Sequence, residues 1–394
     1  MINSLSEFYK VIDNSVKLKQ KIMNRYVRNK NIHEKLILSI EDIYKEVSSI
    51  RQDKNKKYLL RLDDGSTIKL DLAYELEELR KDIIFLRQGE DELIKHMRKK
   101  NKNFDKDFKG LIDNLSGNSF ENFITDRDGT INNYCGLYLS SVQSIYNAVF
   151  LYRFVKNKVS KFIIMTSAPL EGIKSLSLFP RGSVVYAGSK GREYFNKLNL
   201  KKGMKIAPDK KRVLKLITKE IKDLLSKVEN KKFSLIGSGF QQKYGQITIA
   251  RQDISNSISI LESSRFLKDI EDVVRRVDPD KQNSHIEDTG KDVEIILTND
   301  KGASDGFSKG DGVDFLAKEL SLNIETGLNL VAGDTSSDIP MAKKCLESNN
   351  STIPVFITQD SKLKKKIKST LGKSLYVSSP DIFVAALNEI SKMN

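Results

Sequence analysis

Asp126 and Asp128 stand one residue apart in Phe123-Ile124-Thr125-Asp126-Arg127-Asp128-Gly129-Thr130, directly behind a short apolar run and ahead of a Gly-Thr turn. Alternate residues of a strand share a face. Where such a strand ends in a loop, both carboxylates can point into the crevice at the carboxyl edge of an open α/β sheet, where these sheets bind ligands. The pair suits a nucleophile beside a proton donor, with a divalent cation holding the charges together. Asp-Gly is also ordinary turn chemistry, so the pair gains meaning from what accompanies it.

The chain around it has the texture of such a sheet. After residue 120, short apolar runs alternate with helical stretches, the signature of a mostly parallel sheet. Strands are expected at 122–125, 162–165, 184–187, 328–332, 354–357 and 375–377, with a last helix opened by Ser379-Pro380-Asp381. Between 205 and 300 the alternation breaks into a Lys-rich helix from 210 to about 228, strand-like runs at 233–237 and 246–251, a helix around 266–277 and a strand at 293–297. This reads as a small α+β domain, inserted where it can cover a site. Residues 1–115 read as mostly helical. Ile32, Leu36, Ile40, Ile43, Tyr44, Val47 and Ile50 recur at helical spacing, as do Leu72, Leu76, Leu79, Ile83 and Leu86. Between them Asp64-Gly65 joins two alternating runs within 58–70, a β-hairpin signal. The polar stretch 114–119 reads as a linker. The expected domains are therefore 1–115 (helical, with a hairpin), 120–204 (core, first part), 205–300 (inserted cap) and 301–394 (core, second part).

A chain of 394 residues suggests two or three domains, and 39% hydrophobic content is enough for packed cores. With 30% charged residues and no apolar run of spanning length, no membrane association is expected. The start Met1-Ile2-Asn3-Ser4 lacks a signal-peptide core, and the two cysteines, Cys135 and Cys345, are far apart, so a reduced, cytoplasmic setting is expected. The formal charge of +15 comes from lysines spread along the whole chain, which reads as a solvated surface and not as a nucleic-acid interface. The same field favours an anionic small substrate. The helical N-terminal region holds no paired carboxylates, Gly-rich loop or Cys/His cluster; packing, oligomerisation or docking of a protein partner is expected of it.

Four segments carry the chemistry. After the Asp pair comes Phe162-Ile163-Ile164-Met165-Thr166, a buried-strand run ending in a hydroxyl. Phe307-Ser308-Lys309-Gly310-Asp311-Gly312 places a lysine just before a helix, and Leu330-Val331-Ala332-Gly333-Asp334-Thr335-Ser336-Ser337-Asp338 follows a strand with two aspartates four apart. A phosphate monoester dianion repels a carboxylate nucleophile, so a lysine and a metal must neutralise it. The second aspartate can protonate the leaving oxygen and then activate water. Thr166 can hydrogen-bond the phosphoryl group, and Asp334 and Asp338 are hard oxygen ligands suited to Mg²⁺. Singly, Thr166 is an ordinary strand residue and Lys309 a helix-start cation. In this order, each at a strand end or helix start, they point to phosphoryl transfer.

This ordered set resembles the haloacid dehalogenase (HAD) superfamily of phosphatases, in the branch with an α/β cap between the second and third motifs. The resemblance implies an α/β fold: a HAD-like (Rossmannoid) parallel-sheet core with an inserted α+β cap and a mostly α-helical N-terminal domain. It implies Asp126 as nucleophile, Asp128 as general acid/base, and Thr166 and Lys309 as phosphate ligands. Mg²⁺ would be held by Asp126 and Asp128 with Asp334 and Asp338. Within the superfamily the chain is most similar to trehalose-6-phosphate phosphatases. Ala187-Gly188-Ser189-Lys190-Gly191-Arg192-Glu193 resembles their Gly-x-His-Gly element, with Lys190 in place of the histidine. Gln241-Gln242-Lys243-Tyr244-Gly245 resembles the cap's Glu-x-Lys-x-Gly, with Gln241 where Glu is usual, and the run continues to Arg251. Lys291-Asp292-Val293-Glu294-Ile295 resembles the segment of the second sugar-contacting Glu. By this likeness Lys190, Arg192, Gln241, Lys243 and Glu294 would bind substrate. Residues 333–341 and the helical extension are similar to nematode-type members. The implied activity is Mg²⁺-dependent hydrolysis of trehalose 6-phosphate. Another disaccharide or glycosyl-glycerate phosphate is the alternative substrate, and an inactive HAD-like scaffold the alternative of another class.

Overall fold

A computed structural model of the chain describes residues 2–196, 198–298 and 307–393. Among them, eight strands form one sheet in the order Leu375–Val377, Ile353–Ile357, Asn329–Gly333, Phe120–Thr125, Val159–Met165, Val185–Gly188, Glu193–Phe195 and Lys201–Gly203. The first six run parallel, and Glu193–Phe195 lies antiparallel to its neighbours on both sides. All six core strands expected from the apolar runs are present. Parallel strands covered on both faces need side chains that are apolar on both, which is why these runs are nearly continuous. On one face Phe123 stacks on Phe162 and meets Phe154 and Phe383 edge-on, from the helices Ile145–Lys158 and Pro380–Ile390. On the other, Ile124, Ile163 and Val331 pack with Val313 and Leu316 of Lys309–Leu320 and with Met341 and Ala342 of Ile339–Ser348. The chain builds outward from Phe120–Thr125 on one side, then returns to lay Asn329–Gly333 on the other. The order therefore reverses between these two strands, which places a ligand crevice beyond their carboxyl ends.

The inserted segment forms an antiparallel sheet in the order Ser284–Asp288, Asp292–Leu297, Gln246–Ala250, Phe240–Lys243, backed by helices Pro208–Ser226 and Ile260–Val277. The strand expected at 233–237 is not there. Lys231–Ser234 is a 3₁₀ turn whose Phe233 ring stacks on Phe266 with centroids 3.8 Å apart. Gly237 and Gly239, both at positive φ, turn the chain so that 240–243 pairs instead. A short, mostly apolar run does not distinguish a strand from a plug beneath a helix. The expected cap boundary at 300 and 301 lies outside the described residues.

The N-terminal region contains helices Leu5–Val27, Glu34–Ser48, Ala73–Gln88, Glu90–Lys100 and Phe104–Leu115, with a hairpin pairing Tyr58–Arg61 with Thr67–Leu70. Ser4 and Glu7 close a capping box at the first helix, and Gly65 takes φ 82° in the hairpin loop. These helices share a core with the parallel sheet: Met23, Ile40, Leu79, Met97 and Leu111 lie in one apolar cluster with Phe123, Phe150 and Phe383. Only the four residues 116–119 separate the last N-terminal helix from the first core strand. No helix among the described residues is long and apolar enough to cross a membrane.

The helix Ala73–Gln88 docks through charge. Glu75, Glu78, Lys81 and Asp82 are all buried. Lys81 Nζ sits 2.6 Å from Glu78 Oε1, 2.9 Å from Asp381 Oδ1 and 2.9 Å from the Tyr146 hydroxyl. Asp82 pairs with Lys19 at 2.9 Å and accepts from the N–H groups of Ile145 and Tyr146, capping the core helix. Removing the cation strands two buried carboxylates, so Lys81→Met should destabilise the fold by about 3–5 kcal/mol, read from urea denaturation. Burial opposes ionisation of Asp381, but the Lys81 ammonium and the Asn133 and Tyr146 hydrogen bonds outweigh it and hold the carboxyl below its usual range. A depressed folded pKa stabilises above the unfolded value of ~3.9. That contribution should fade as pH falls through the folded pKa, which acid titration of the denaturation midpoint measures.

Candidate active site

Parallel strand ends deliver the first two carboxylates. The N–H of Asp126 donates to Ala332 O at 2.9 Å, fastening the loop after Phe120–Thr125 to the neighbouring strand end. Gly129 turns that loop at φ 89° and lies so close to Asp334 that a Cβ there would stand 2.1 Å from Oδ2. Only glycine lets the two motif loops approach this closely. Lys309, the first residue of its helix and 2% exposed, places Nζ 2.5 Å from both Asp126 Oδ1 and Asp338 Oδ1. Asp338 Oδ2 accepts from the N–H groups of Asp334 and Thr335 and from the Thr335 hydroxyl. Asp334 Oδ1 accepts from Thr130 Oγ1 at 3.0 Å. Four of the residues singled out in the sequence are thus gathered: Asp126, Lys309, Asp334 and Asp338.

Their electrostatics follow from burial. Desolvation pushes the Asp126 carboxyl up; the Lys309 ammonium works the other way, while Asp338 and Asp128 add to the rise. Desolvation also raises Asp334, reinforced by Asp126 and Asp338. Asp338 goes down: burial opposes ionisation, but Lys309 and the backbone N–H groups of Thr335 and Asp334 outweigh it. Lys309 stays firmly protonated because its two carboxylates overcome the burial penalty. Three carboxylates surround one ammonium, so full ionisation leaves an excess of two negative charges in a buried place. As the side chains stand, no group of three or more His, Cys, Asp or Glu among the described residues is set to hold a metal, for the Lys309 ammonium already pairs with two of these carboxylates.

Asp128 faces the cleft. Its Oδ1 accepts from Arg127 Nη1 at 2.5 Å and from Ser141 Oγ at 2.7 Å, and it forms no hydrogen bond with Asp334 or Asp338. Thr166 lies past the end of Val159–Met165; its hydroxyl accepts from Ala168 N–H at 3.1 Å. Its carbonyl accepts from the N–H of Lys190, a residue in the left-handed region at φ 63°. The cap closes over Asp128. A cavity of about 170 Å³ is lined by Asp128, Tyr134, Ser141, Gln241, Gln252 and Asp292 among others. Gln241 is 6% exposed and donates to Ser238 O, while buried Lys243 stands 3.9 Å from Glu294. Desolvation draws the Lys243 amine below its ordinary value. The candidate Arg192, and Arg251 at the end of the quoted run, lie elsewhere. Arg192 sits over the Phe307 ring at 4.7 Å and donates to Tyr244 O, joining core to cap. Arg251 is taken up by a bidentate pair with Asp288 within the cap. Sequence reasoning did not single out Thr130, Tyr134, Ser141, Gln252 or Asp292. Thr130 and Arg127 stood inside the quoted motif and Asp292 inside the quoted cap segment, where it opens a strand; Tyr134, Ser141 and Gln252 come from loops without a pattern.

The trehalose-6-phosphate phosphatase C-terminal family model matches residues 123–383, and the trehalose-6-phosphate phosphatase N-terminal helical bundle model matches 4–104. Alpha,alpha-trehalose-phosphate synthase (UDP-forming) 1 of Aphelenchoides avenae is 28% identical over 99% of this chain and 36% of its own length. The trehalose-phosphatase of Brugia malayi is 31% identical over 68% of this chain and 56% of its own, and that of Caenorhabditis elegans 30% over 68% and 62%. The chain thus spans about a third of the synthases and over half of the phosphatases it matches. A solved trehalose-6-phosphate phosphatase related protein aligns over 69% of this chain and 97% of that one, at 13% identity and a TM-score of 0.47. With an N-terminal helical bundle on a capped, HAD-like α/β core, the chain belongs to the trehalose-6-phosphate phosphatase family.

Proposed function

We propose that the protein is a Mg²⁺-dependent phosphoric monoester hydrolase that releases phosphate from a sugar phosphate, trehalose 6-phosphate foremost, in the cytoplasm. The observation that carries this reading is the buried set of Asp126, Asp334 and Asp338 around the single ammonium of Lys309. Its two excess negative charges and its all-oxygen donors fit one hard divalent cation. Asp126 and Asp334 would hold that cation, since the Asp338 oxygens are already engaged by Lys309 and the loop N–H groups. When bound, it would supply charge neutralisation for the incoming phosphate dianion.

The protein's own groups perform the rest. Lys309 holds Asp126 Oδ1, leaving Oδ2 as the attacking oxygen. The Asp126–phosphorus bond forms as the bond to the sugar oxygen breaks, and Asp128 passes its proton to that departing oxygen. In the second half-reaction Asp128 takes a proton from the water that attacks the phosphoaspartate. Thr166 and Lys309 orient the phosphoryl oxygens. Gln241, Lys243 and Glu294 on the cap, with Lys190 on the core, would recognise sugar hydroxyls, while Arg192 links cap movement to the core. Ligand clefts commonly measure ~300–1,000 Å³. The present cavity of about 170 Å³ is smaller, so the cap must swing away for a disaccharide to enter.

Phosphate release from a panel of sugar phosphates with Mg²⁺ tests the reading, with trehalose 6-phosphate expected to be fastest. Preference for another disaccharide or glycosyl-glycerate phosphate would change the substrate, and no release from any would leave a HAD-like scaffold. Asp126→Asn should lower turnover by about 10³-fold or more while circular dichroism and the thermal midpoint stay near wild type. Mg²⁺ should raise the thermal midpoint of the wild-type chain, by about 2.7 kcal/mol of stability at a hundred times Kd. Asp334→Asn should lose most of that increment, which a thermal-shift titration reads without reference to activity.

A further inference from the structure

Asp128 does not hold its own position. Its carboxylate oxygen accepts from Arg127 and Ser141, and Arg127 in turn donates to the Ser141 hydroxyl at 2.9 Å and to the Ser141 carbonyl. Carboxylate, guanidinium and residue 141 form a closed knot, so wherever Ser141 goes, Asp128 follows. Ser141 belongs to a segment, 131–144, whose one regular element is the single turn Tyr138–Ser140. Such a segment must take its shape from what it packs against.

It packs against the N-terminal helix Ala73–Gln88. The Tyr74 hydroxyl donates to Val142 O at 2.9 Å and accepts from Asn132 Nδ2 at 2.8 Å, and that same nitrogen lies 3.4 Å from Ser141 Oγ. The Ser140 hydroxyl donates to Glu75 and the Ser144 hydroxyl to Glu78, while Asn133 Nδ2 donates to Glu78 Oε1 at 2.8 Å. One helix therefore grips the segment on both sides of Ser141. Stability alone does not call for buried carboxylates here, because apolar residues in such places are often neutral or stabilising. What apolar residues cannot supply is directed hydrogen bonds that fix a loop to within a few tenths of an ångström.

The geometry points to Tyr74 as a positioning residue for the Asp128 carboxylate, and to the N-terminal helix as part of the active-site scaffold. This rests on Asp128 acting as the general acid in the function proposed above, and it adds a task for a domain to which that function gives none. In the step concerned, the proton of Asp128 goes to the sugar oxygen as its bond to phosphorus breaks. A phosphate ester with a good leaving group, such as p-nitrophenyl phosphate, needs no such proton.

The test compares kcat/KM for the best sugar phosphate with kcat/KM for p-nitrophenyl phosphate, in the full chain with Mg²⁺. Tyr74→Phe should lower the ratio of the two about tenfold, a fraction of the ~10²–10⁴ that general acid catalysis supplies. Asn132→Ala breaks the same bridge from its other end and should lower the ratio similarly, and the double variant should go no lower. A merely structural role predicts that both constants fall together, and that result, or an unchanged ratio in both single variants, overturns the inference. Inactivity of the wild-type chain towards every phosphate ester would instead overturn the functional reading, and this inference with it.

Discussion

One ammonium group joins the two halves of this core. Lys309 Nζ bridges Asp126, which ends the first core strand, and Asp338, which follows the fourth parallel strand in sequence, with 2.5 Å to each. Asp126 stands 183 positions before Lys309, with the whole cap between them in the chain, whereas Lys309 and Asp338 are 29 apart. A buried ion triad of this kind is a poor way to gain stability, since desolvation offsets most of the Coulombic attraction. It is, however, a good way to hold carboxylates where a phosphate dianion would otherwise repel them. The close approach of Gly129 to Asp334 serves the same end by removing the side chain that would separate the loops. Sheet topology, helix start and glycine position all converge on one small volume of concentrated charge.

How far the cap can move depends on what holds it. Tyr138 N–H donates to Gly237 O at 2.9 Å, Tyr244 N–H to Ser189 Oγ at 2.8 Å, and Ile254 lies against Gly136. The N-terminal region also reaches the cap: Tyr9 donates to Leu235 O at 2.6 Å, and Asp63 pairs with Lys231 at 2.5 Å. Each exposed ion pair is worth ~0–1 kcal/mol and each hydrogen bond ~0.5–1.5 kcal/mol. Apolar surface adds to these contacts: Phe8, Leu60 and Ile68 of the N-terminal region lie in one buried cluster with Ile217, Phe233 and Phe266 of the cap. Because the N-terminal helices are locked to the core through Lys81 and Asp82, the cap opening proposed above would have to part the cap from core and bundle together.

The core was legible because burial on both faces forces its strands to be short, apolar and bounded by turn residues. Phe123-Ile124-Thr125 followed by two aspartates has few other uses. The cap was harder. Phe240–Lys243 and Ser284–Asp288 pair within its sheet yet carry glutamines, a histidine and acidic residues, so no alternation marks them. The run at 233–237 looked more strand-like than either but fills the space under Phe266. Candidate side chains could be named from the motif order. Their mutual distances could not, because these depend on register between strands far apart in sequence, such as Ala332 opposite Thr125.

In the N-terminal helix Ala73–Gln88 the stripe of leucines is legible in the sequence, but the burial of its charged residues is not. In the structure Leu76, Ile83 and Leu86 are only partly buried, whereas Glu75, Glu78, Lys81 and Asp82 are buried. A charged residue can be buried when its partner is also buried and well placed. Besides Glu78 within the helix and Asn133, the partners are Ser140, Ser144, Tyr146, Asp381 and the end of a core helix, far along the chain from the residues they meet. Local periodicity cannot register a partner supplied from so far along the chain. It follows that a polar helix face in an accessory domain is informative once a fold is known: matched buried charges mark the surface where that domain must sit in one orientation. In this protein that surface is the loop behind Asp128.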